Sequence, residues 1–198
     1  DQWTYHAVAN IIRAHSLIRS FPEVNPNKTA LTGISWGGYL TCIVAGLDNR
    51  FKAAVPIYGC GFLHKNSYWL HEFKRMSPEN KNKWITYWDP SQYVGSATMP
   101  MFFVNGGTDF AYPPDSYAET YDLVKSPKNI RFIPHLDHGH IFDRPKAVEA
   151  FIEHHLGDKS PLAKIISTEI TENQIIAIVN SETKLVSSEM HYTLEGPT

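Results

Sequence analysis

Val8, Ile11, Ile12 and Ile18 recur along one stripe with a 3.6-residue period, and His15 shares that stripe. Roughly residues 4–20 therefore predict an amphipathic helix, which Pro22 ends. Asn25, Pro26 and Asn27 make a turn. Beyond it, short apolar runs at 28–34, 51–58, 101–105 and 130–134 predict strands. Helical patterns lie among them. One follows Gly37 and Gly38 and carries Tyr39, Leu40, Ile43 and Val44; a second covers 115–125; a third covers 144–156, entered at Pro145 and left at Gly157. Strands alternating with helices imply an α/β fold, with a mostly parallel sheet flanked by helices and right-handed crossovers.

Two stretches break this rhythm. Residues 59–98 are polar and aromatic, with Phe62, Tyr68, Trp69, Phe73, Trp84, Tyr87, Trp88 and Tyr93, and Ser77-Pro78 is a helix start inside them. Residues 164–194 hold Ile165-Ile166, then 175–179, then Val186, Met190, Tyr192 and Leu194, a pattern of three antiparallel strands joined by Asn, Ser and Glu turns. The expected division is an α/β unit over 1–160, with an insertion at 59–98, and the truncated start of a small antiparallel β-rich appendage over 161–198. Helical pattern begins almost at the first residue and strand pattern runs nearly to the last, so the chain reads as a fragment of a longer protein.

The composition narrows the classes. The 198 residues are 42% hydrophobic and 13% aromatic, enough for one full core but not for two large domains. A net charge of −2 gives no electrostatic reason to expect a nucleic acid or an anionic membrane as partner. No apolar run approaches the ~20 residues a bilayer span needs, and Asp1-Gln2-Trp3 shows no leader pattern. Two cysteines, Cys42 and Cys60, are too few for a disulfide framework, leave open whether they are bridged, and leave the compartment open.

Gly33-Ile34-Ser35-Trp36-Gly37 fits G-x-S-x-G where a β-branched strand meets a helix. There the glycines permit a tight turn and the serine hydroxyl projects above the sheet, near the positive end of the helix. A serine hydroxyl is a poor nucleophile until a base takes its proton, and the base needs a partner to fix its tautomer. Asp109 follows the third predicted strand and His138 the fourth, so both lie beyond carboxyl ends, where sites in open α/β sheets sit. The order Ser35, Asp109, His138 is the one such an elbow requires. His140 is the alternative base, and Asp143 and Asp115 the alternative acids, although Asp115 reads as a helix cap. His135, Asp137, His138 and His140 contain metal-ligand types, but alternate residues of an extended segment face opposite ways, so a triad histidine beside ordinary ones is the better reading and no metal is assigned.

On these residues the sequence resembles the α/β-hydrolase superfamily. The closest look is to the branch holding dienelactone-hydrolase-like enzymes, acetyl xylan esterases and prolyl-oligopeptidase-type peptidases. Residues 32–39 are similar to its elbow, with an aromatic after the serine and a double glycine; 99–109 to its acid strand; and 137–139 to its histidine loop. The resemblance covers roughly residues 4–157. It implies nucleophile Ser35, acid Asp109, base His138, and the Trp36 amide as one oxyanion donor, with no metal or organic cofactor. The family has further strands before the helix that opens this chain, and one of their loops carries the second oxyanion amide. The elbow strand would here present a bare edge, open to pairing between copies. Losing one such donor typically costs ~10²–10³ in rate, so the piece alone is expected to be inactive.

The implied reaction is acyl transfer through an acyl-enzyme on a small-molecule or carbohydrate ester, in the manner of an acetyl xylan esterase. A serine peptidase of the prolyl-oligopeptidase type is the first alternative, and a non-catalytic binding module on the same fold is the second. The strand pattern at 164–194 favours the esterase, since those peptidases end soon after the last helix. The aromatic stretch has two readings, a lid over Ser35 or rings that merely pack a helical excursion; in the first, Tyr58, Trp69, Trp84 and Trp88 contact substrate. Trp36 is expected to be buried, and Tyr112 to shape a loop. Secreted or periplasmic placement is implied only by the likeness to polysaccharide esterases.

Overall fold

The structure is a computed structural model describing residues 2–139 and 146–192. The opening stripe folds as α1 (Trp3–Ile18), with Val8 and His15 buried. Then come β1 (Ala30–Ile34), α2 (Trp36–Leu47), β2 (Ala53–Ile57), α3 (Leu70–Arg75), α4 (Pro78–Trp88), β3 (Met101–Gly106), α5 (Pro114–Leu123), β4 (Lys128–Ile133) and α6 (Lys146–Leu156). Residues 59–98 thus hold two helices and two short 3₁₀ turns. Ser77 caps α4 by accepting the Asn80 N–H, with Pro78 at the first helical position.

The four strands form one parallel sheet in the order β1-β2-β3-β4. β2 and β3 are buried along their whole length, which is why they read as unbroken apolar runs, whereas β1 at the edge is only half-covered. Along β3, Phe103 packs against Tyr117 and Tyr121 of α5, while Phe102 meets Phe151 of α6. Alternation thereby places α5 and α6 on opposite faces of the sheet.

β2 carries Pro56, which has no N–H for the ladder. Its pairing with β3 is accordingly reduced to Ala54 with Met101 and Ile57 with Val104. The buried Tyr117 hydroxyl closes this gap, 2.8 Å from the Pro56 carbonyl oxygen and 2.9 Å from that of Val104. At the other end of the sheet, His15 Nδ1 lies 2.8 Å from Asp48 Oδ2, and His15 Nε2 lies 2.9 Å from Thr29 Oγ1. The His15 ring stacks on Phe51 at 3.6 Å, and Asp48 also accepts from Arg50 Nε and a second guanidinium nitrogen, both at 2.6 Å. A histidine on an apolar helix stripe is here the pin that joins α1 to the end of α2.

The remaining strands, β5 (Lys164–Ile170) and β6 (Ile175–Asn180), form an antiparallel hairpin with a bulge between Ile165 and Ser167. The third strand expected after them is not formed among the described residues. Val186 is 93% exposed and residues 181–192 are irregular: they pair with neither open edge of the hairpin, and a strand exists only through pairing. Leu194 lies outside the described residues, as do His140, Asp143 and Pro145.

Candidate active site

Ser35 sits between β1 and α2 with φ 59° and ψ −119°, a conformation costly for a residue with a Cβ. It is held there on both sides, by its own N–H donating to the Ile57 carbonyl and by its carbonyl accepting from the Tyr39 N–H. A Cβ on Gly33 would collide with the Gly37 carbonyl, so that glycine is required. Gly37 has open space where its Cβ would stand. The other constrained pair is Gly38 and Gly59, whose backbones approach so closely that neither admits a side chain, and this packs the start of α2 onto the segment after β2.

Ser35 Oγ lies 2.9 Å from His138 Nε2, although the residues are 103 positions apart. His138 Nδ1 lies 3.0 Å from Asp109 Oδ2. The buried Asp109 carboxylate is fixed through its other oxygen, which accepts the N–H groups of Ala111 at 2.8 Å and Tyr112 at 2.9 Å. The histidine loop is seated by backbone contacts: Gly107 and Leu136 both donate to the Ile133 carbonyl, and Gly106 leaves room for the Leu136 carbonyl where any Cβ would clash. His135 turns the chain with φ 58° and points outward, as does Asp137. Asp115 is in the first turn of α5 rather than at its cap, where Pro113 stands; its carboxylate accepts from the Ser116 N–H and the Asn66 amide, away from His138. Cys42 and Cys60 are unbridged and buried, and burial pushes both thiols up.

The Trp36 N–H, the first of α2, makes no hydrogen bond among the described residues and stands beside Ser35. The Trp36 side chain departs from expectation. It is 36% exposed rather than buried, because its ring lies in a sheet of aromatics instead of the core. Its ring centroid is 4.6 Å from Trp69, 5.0 Å from Tyr39 and 5.2 Å from Trp3. Trp69 in turn is 5.2 Å from Tyr112, and Tyr112 is 5.7 Å from the His138 ring. Tyr112 therefore belongs to the wall beside the base as well as to its loop, a role sequence reasoning missed. Trp3 was missed as well, since a tryptophan at a helix start carries no signal of what it will face.

Trp36, Trp69 and Trp84 line a small pocket of about 110 Å³ with Trp3, Phe73 and Met76. Tyr58, fully buried with φ 59°, lies 5.1 Å from the His138 ring; burial and then the Asp109 charge raise its phenol. Trp88 does not join them. It lines a separate groove between α1 and α2 with Val8, Ile12 and Leu47, because its position at the end of α4 turns it toward α1. A cavity of about 730 Å³ also lies away from the triad, along the free edge of β1 and against Val148 and Ile152 of α6.

Residues 1–157 match the prolyl oligopeptidase family. The chain is 26% identical over 142 residues to the acetyl esterase Axe7A of Xylanibacter ruminicola, covering 67% of this chain and 32% of that protein. An acetyl xylan esterase from Paenibacillus sp. R4 superposes with TM-score 0.66 at 24% identity, over 76% of this chain and 52% of its own. The acylaminoacyl peptidase of Pyrococcus horikoshii superposes with TM-score 0.59 at 20% identity, over 76% of this chain and 28% of its own. The chain thus spans about half or less of the length of these proteins, and its fold is that of the α/β hydrolases.

Proposed function

This chain belongs to the prolyl oligopeptidase family, and from that premise we propose that it carries the nucleophile, base and acid of a serine hydrolase acting on carboxylic esters. The observation that carries the reading is the unbroken relay from Ser35 Oγ through His138 to Asp109, at 2.9 and 3.0 Å. His138 takes the Ser35 proton as Oγ bonds to the acyl carbon. Asp109 holds Nδ1–H so that Nε2 is the basic nitrogen, and the free Trp36 N–H faces the developing oxyanion. The second oxyanion donor is placed outside residues 1–198. Trp36, Trp69 and Trp84 supply apolar walls beside the reacting carbonyl, the fully buried Tyr58 and Tyr112 back the His138 ring from within the fold, and the β5–β6 hairpin is a β accessory unit.

Likeness to acetyl esterases supports an ester, in the manner of an acetyl xylan esterase. Likeness to an acylaminoacyl peptidase supports amide cleavage as the second reading. Treating the full-length protein with a fluorophosphonate and locating the adduct by peptide mass spectrometry tests the first step. The expected adduct is on Ser35, lost in His138→Ala; folded protein that takes no label rules the reading out and leaves a binding module. Acetate-ester and aminoacyl-anilide turnover measured side by side decides the bond, and faster anilide cleavage overturns the esterase reading.

A further inference from the structure

We propose that the exposed rings of Phe110 and Tyr68 form the subsite for the leaving alcohol, and that it takes an alcohol with a flat apolar face, such as a pyranoside or an aryl group. The proposal rests on the serine-hydrolase reading above. In acylation the acyl carbon gains its bond to Ser35 Oγ and the serine proton moves to His138 Nε2. The carbon–oxygen bond to the alcohol then breaks, and the same proton passes from Nε2 to the departing oxygen. That oxygen must therefore come within hydrogen-bond reach of Nε2, so its substituent lies against the His138 ring.

Among the described residues, three aromatic rings approach His138: Tyr58 at 5.1 Å, and Phe110 and Tyr112 at 5.7 Å each. Tyr58 and Tyr112 are fully buried, whereas Phe110 is 59% exposed. Tyr68, 57% exposed, meets Phe110 edge-to-face at 5.6 Å. The two rings come from different loops that the backbone ties together. The Tyr68 N–H donates to the Ala111 carbonyl, and the Ala111 N–H donates to Asp109, so Phe110 is bracketed by the same turn that fixes the acid. The shelf is thereby set by the triad itself and not by loose surface chain. Tyr68 continues at 5.9 Å to Trp69 and so to Trp36. The two aromatic groups flank Ser35 differently. The Trp36–Trp69 wall adjoins the Trp36 N–H, where the carbonyl oxygen settles; Phe110 adjoins the base, where the leaving oxygen settles, and Tyr68 extends its face outward. Exposed rings held in place offer a stacking face to a sugar C–H face or an arene, which a short alkyl chain cannot match.

The test uses the full-length protein and three acetate esters with one acyl group in common: phenyl acetate, a mono-O-acetylated methyl xyloside and ethyl acetate. In Phe110→Ala and Tyr68→Ala, kcat/KM for a ring-bearing ester relative to ethyl acetate is expected to fall about three- to tenfold, while Phe110→Tyr keeps the wild-type ratio. A fall with either the phenyl or the xyloside ester supports the subsite and tells which alcohol it takes. A ratio unchanged with both overturns it. Because both side chains are largely exposed, folding is not at stake, and fluorophosphonate labelling of each preparation separates the failures. Ser35 labelled with the ratio unchanged removes the subsite alone; Ser35 unlabelled in wild type removes the serine-hydrolase reading on which it stands.

Discussion

Ser35 occupies a backbone conformation with φ 59° that costs about 1–3 kcal/mol for a residue with a side chain, and the fold sustains it through Ile57, Tyr39 and one glycine. The two glycines of the motif are not equivalent. Gly33 faces the Gly37 carbonyl with no room for a methyl, whereas Gly37 is inside α2 with nothing near its Cβ position. Gly33→Ala is expected to destabilise the protein by at least about 2 kcal/mol. Gly37→Ala is expected to leave stability unchanged or raise it by up to about 1 kcal/mol, through helix propensity. Urea denaturation of the two variants checks this, and equal losses would show that the elbow is held differently. The glycine pattern was legible in the sequence; which glycine is sterically obligatory was not, because it depends on where the first turn of α2 brings its carbonyl.

Among elements, the sheet is repaired and pinned at points the pattern of strands does not reveal. Tyr117→Phe removes the hydroxyl that reaches Pro56 and Val104 and leaves buried carbonyl capacity unmet, so a loss of about 1–2 kcal/mol is expected in chemical denaturation. A result within error of wild type would mean that the β2–β3 gap needs no closure. The pin at Asp48 is charge-based. Burial alone would raise its carboxyl, but hydrogen bonds from Arg50 and His15 outweigh that and hold it below the ordinary carboxylate range. A folded-state pKa below the unfolded value gives stability that is fully present above about pH 4 and is lost as pH falls toward the folded value. Asp48→Asn is therefore expected to lower stability at pH 7 by about 1–3 kcal/mol and to flatten its decline between about pH 4 and pH 2. Denaturation midpoints across that range measure both, and a variant with the wild-type slope would remove Asp48 as a source of the acid sensitivity.

At the scale of the whole molecule, the chain covers 32% of one acetyl esterase relative and leaves β1 as a free sheet edge beside a large cavity. The β5–β6 hairpin exposes Ile165, Ile170, Ile176 and Ile178, so apolar residues stand on view along both of its strands. On the proposed reading, in which the Trp36 N–H is the one oxyanion donor these residues supply, residues 1–198 alone are expected to turn over an activated acetate ester at least about 100-fold more slowly than the full-length protein. Steady-state assays of both preparations, normalised to folded protein by circular dichroism, check this. Equal rates would locate a second donor within these residues.

The sequence by itself determined the parallel α/β arrangement, and it marked Ser35, Asp109 and His138, because each lies in the turn or loop after a strand whose period and turn residues are local properties. It also marked the Ser77 cap and the hairpin's two strands, which rest on neighbours a few positions away. Only the tertiary structure decided the rest. The 2.9 Å approach of Ser35 to His138 depends on four strands being in register, and the exposure of Trp36, the turning away of Trp88 and the enlistment of Tyr112 depend on which rings the fold brings onto one face. The absence of a third strand among the described C-terminal residues is likewise a tertiary outcome, since hydrophobic alternation proposes a strand and only pairing with a neighbour makes one.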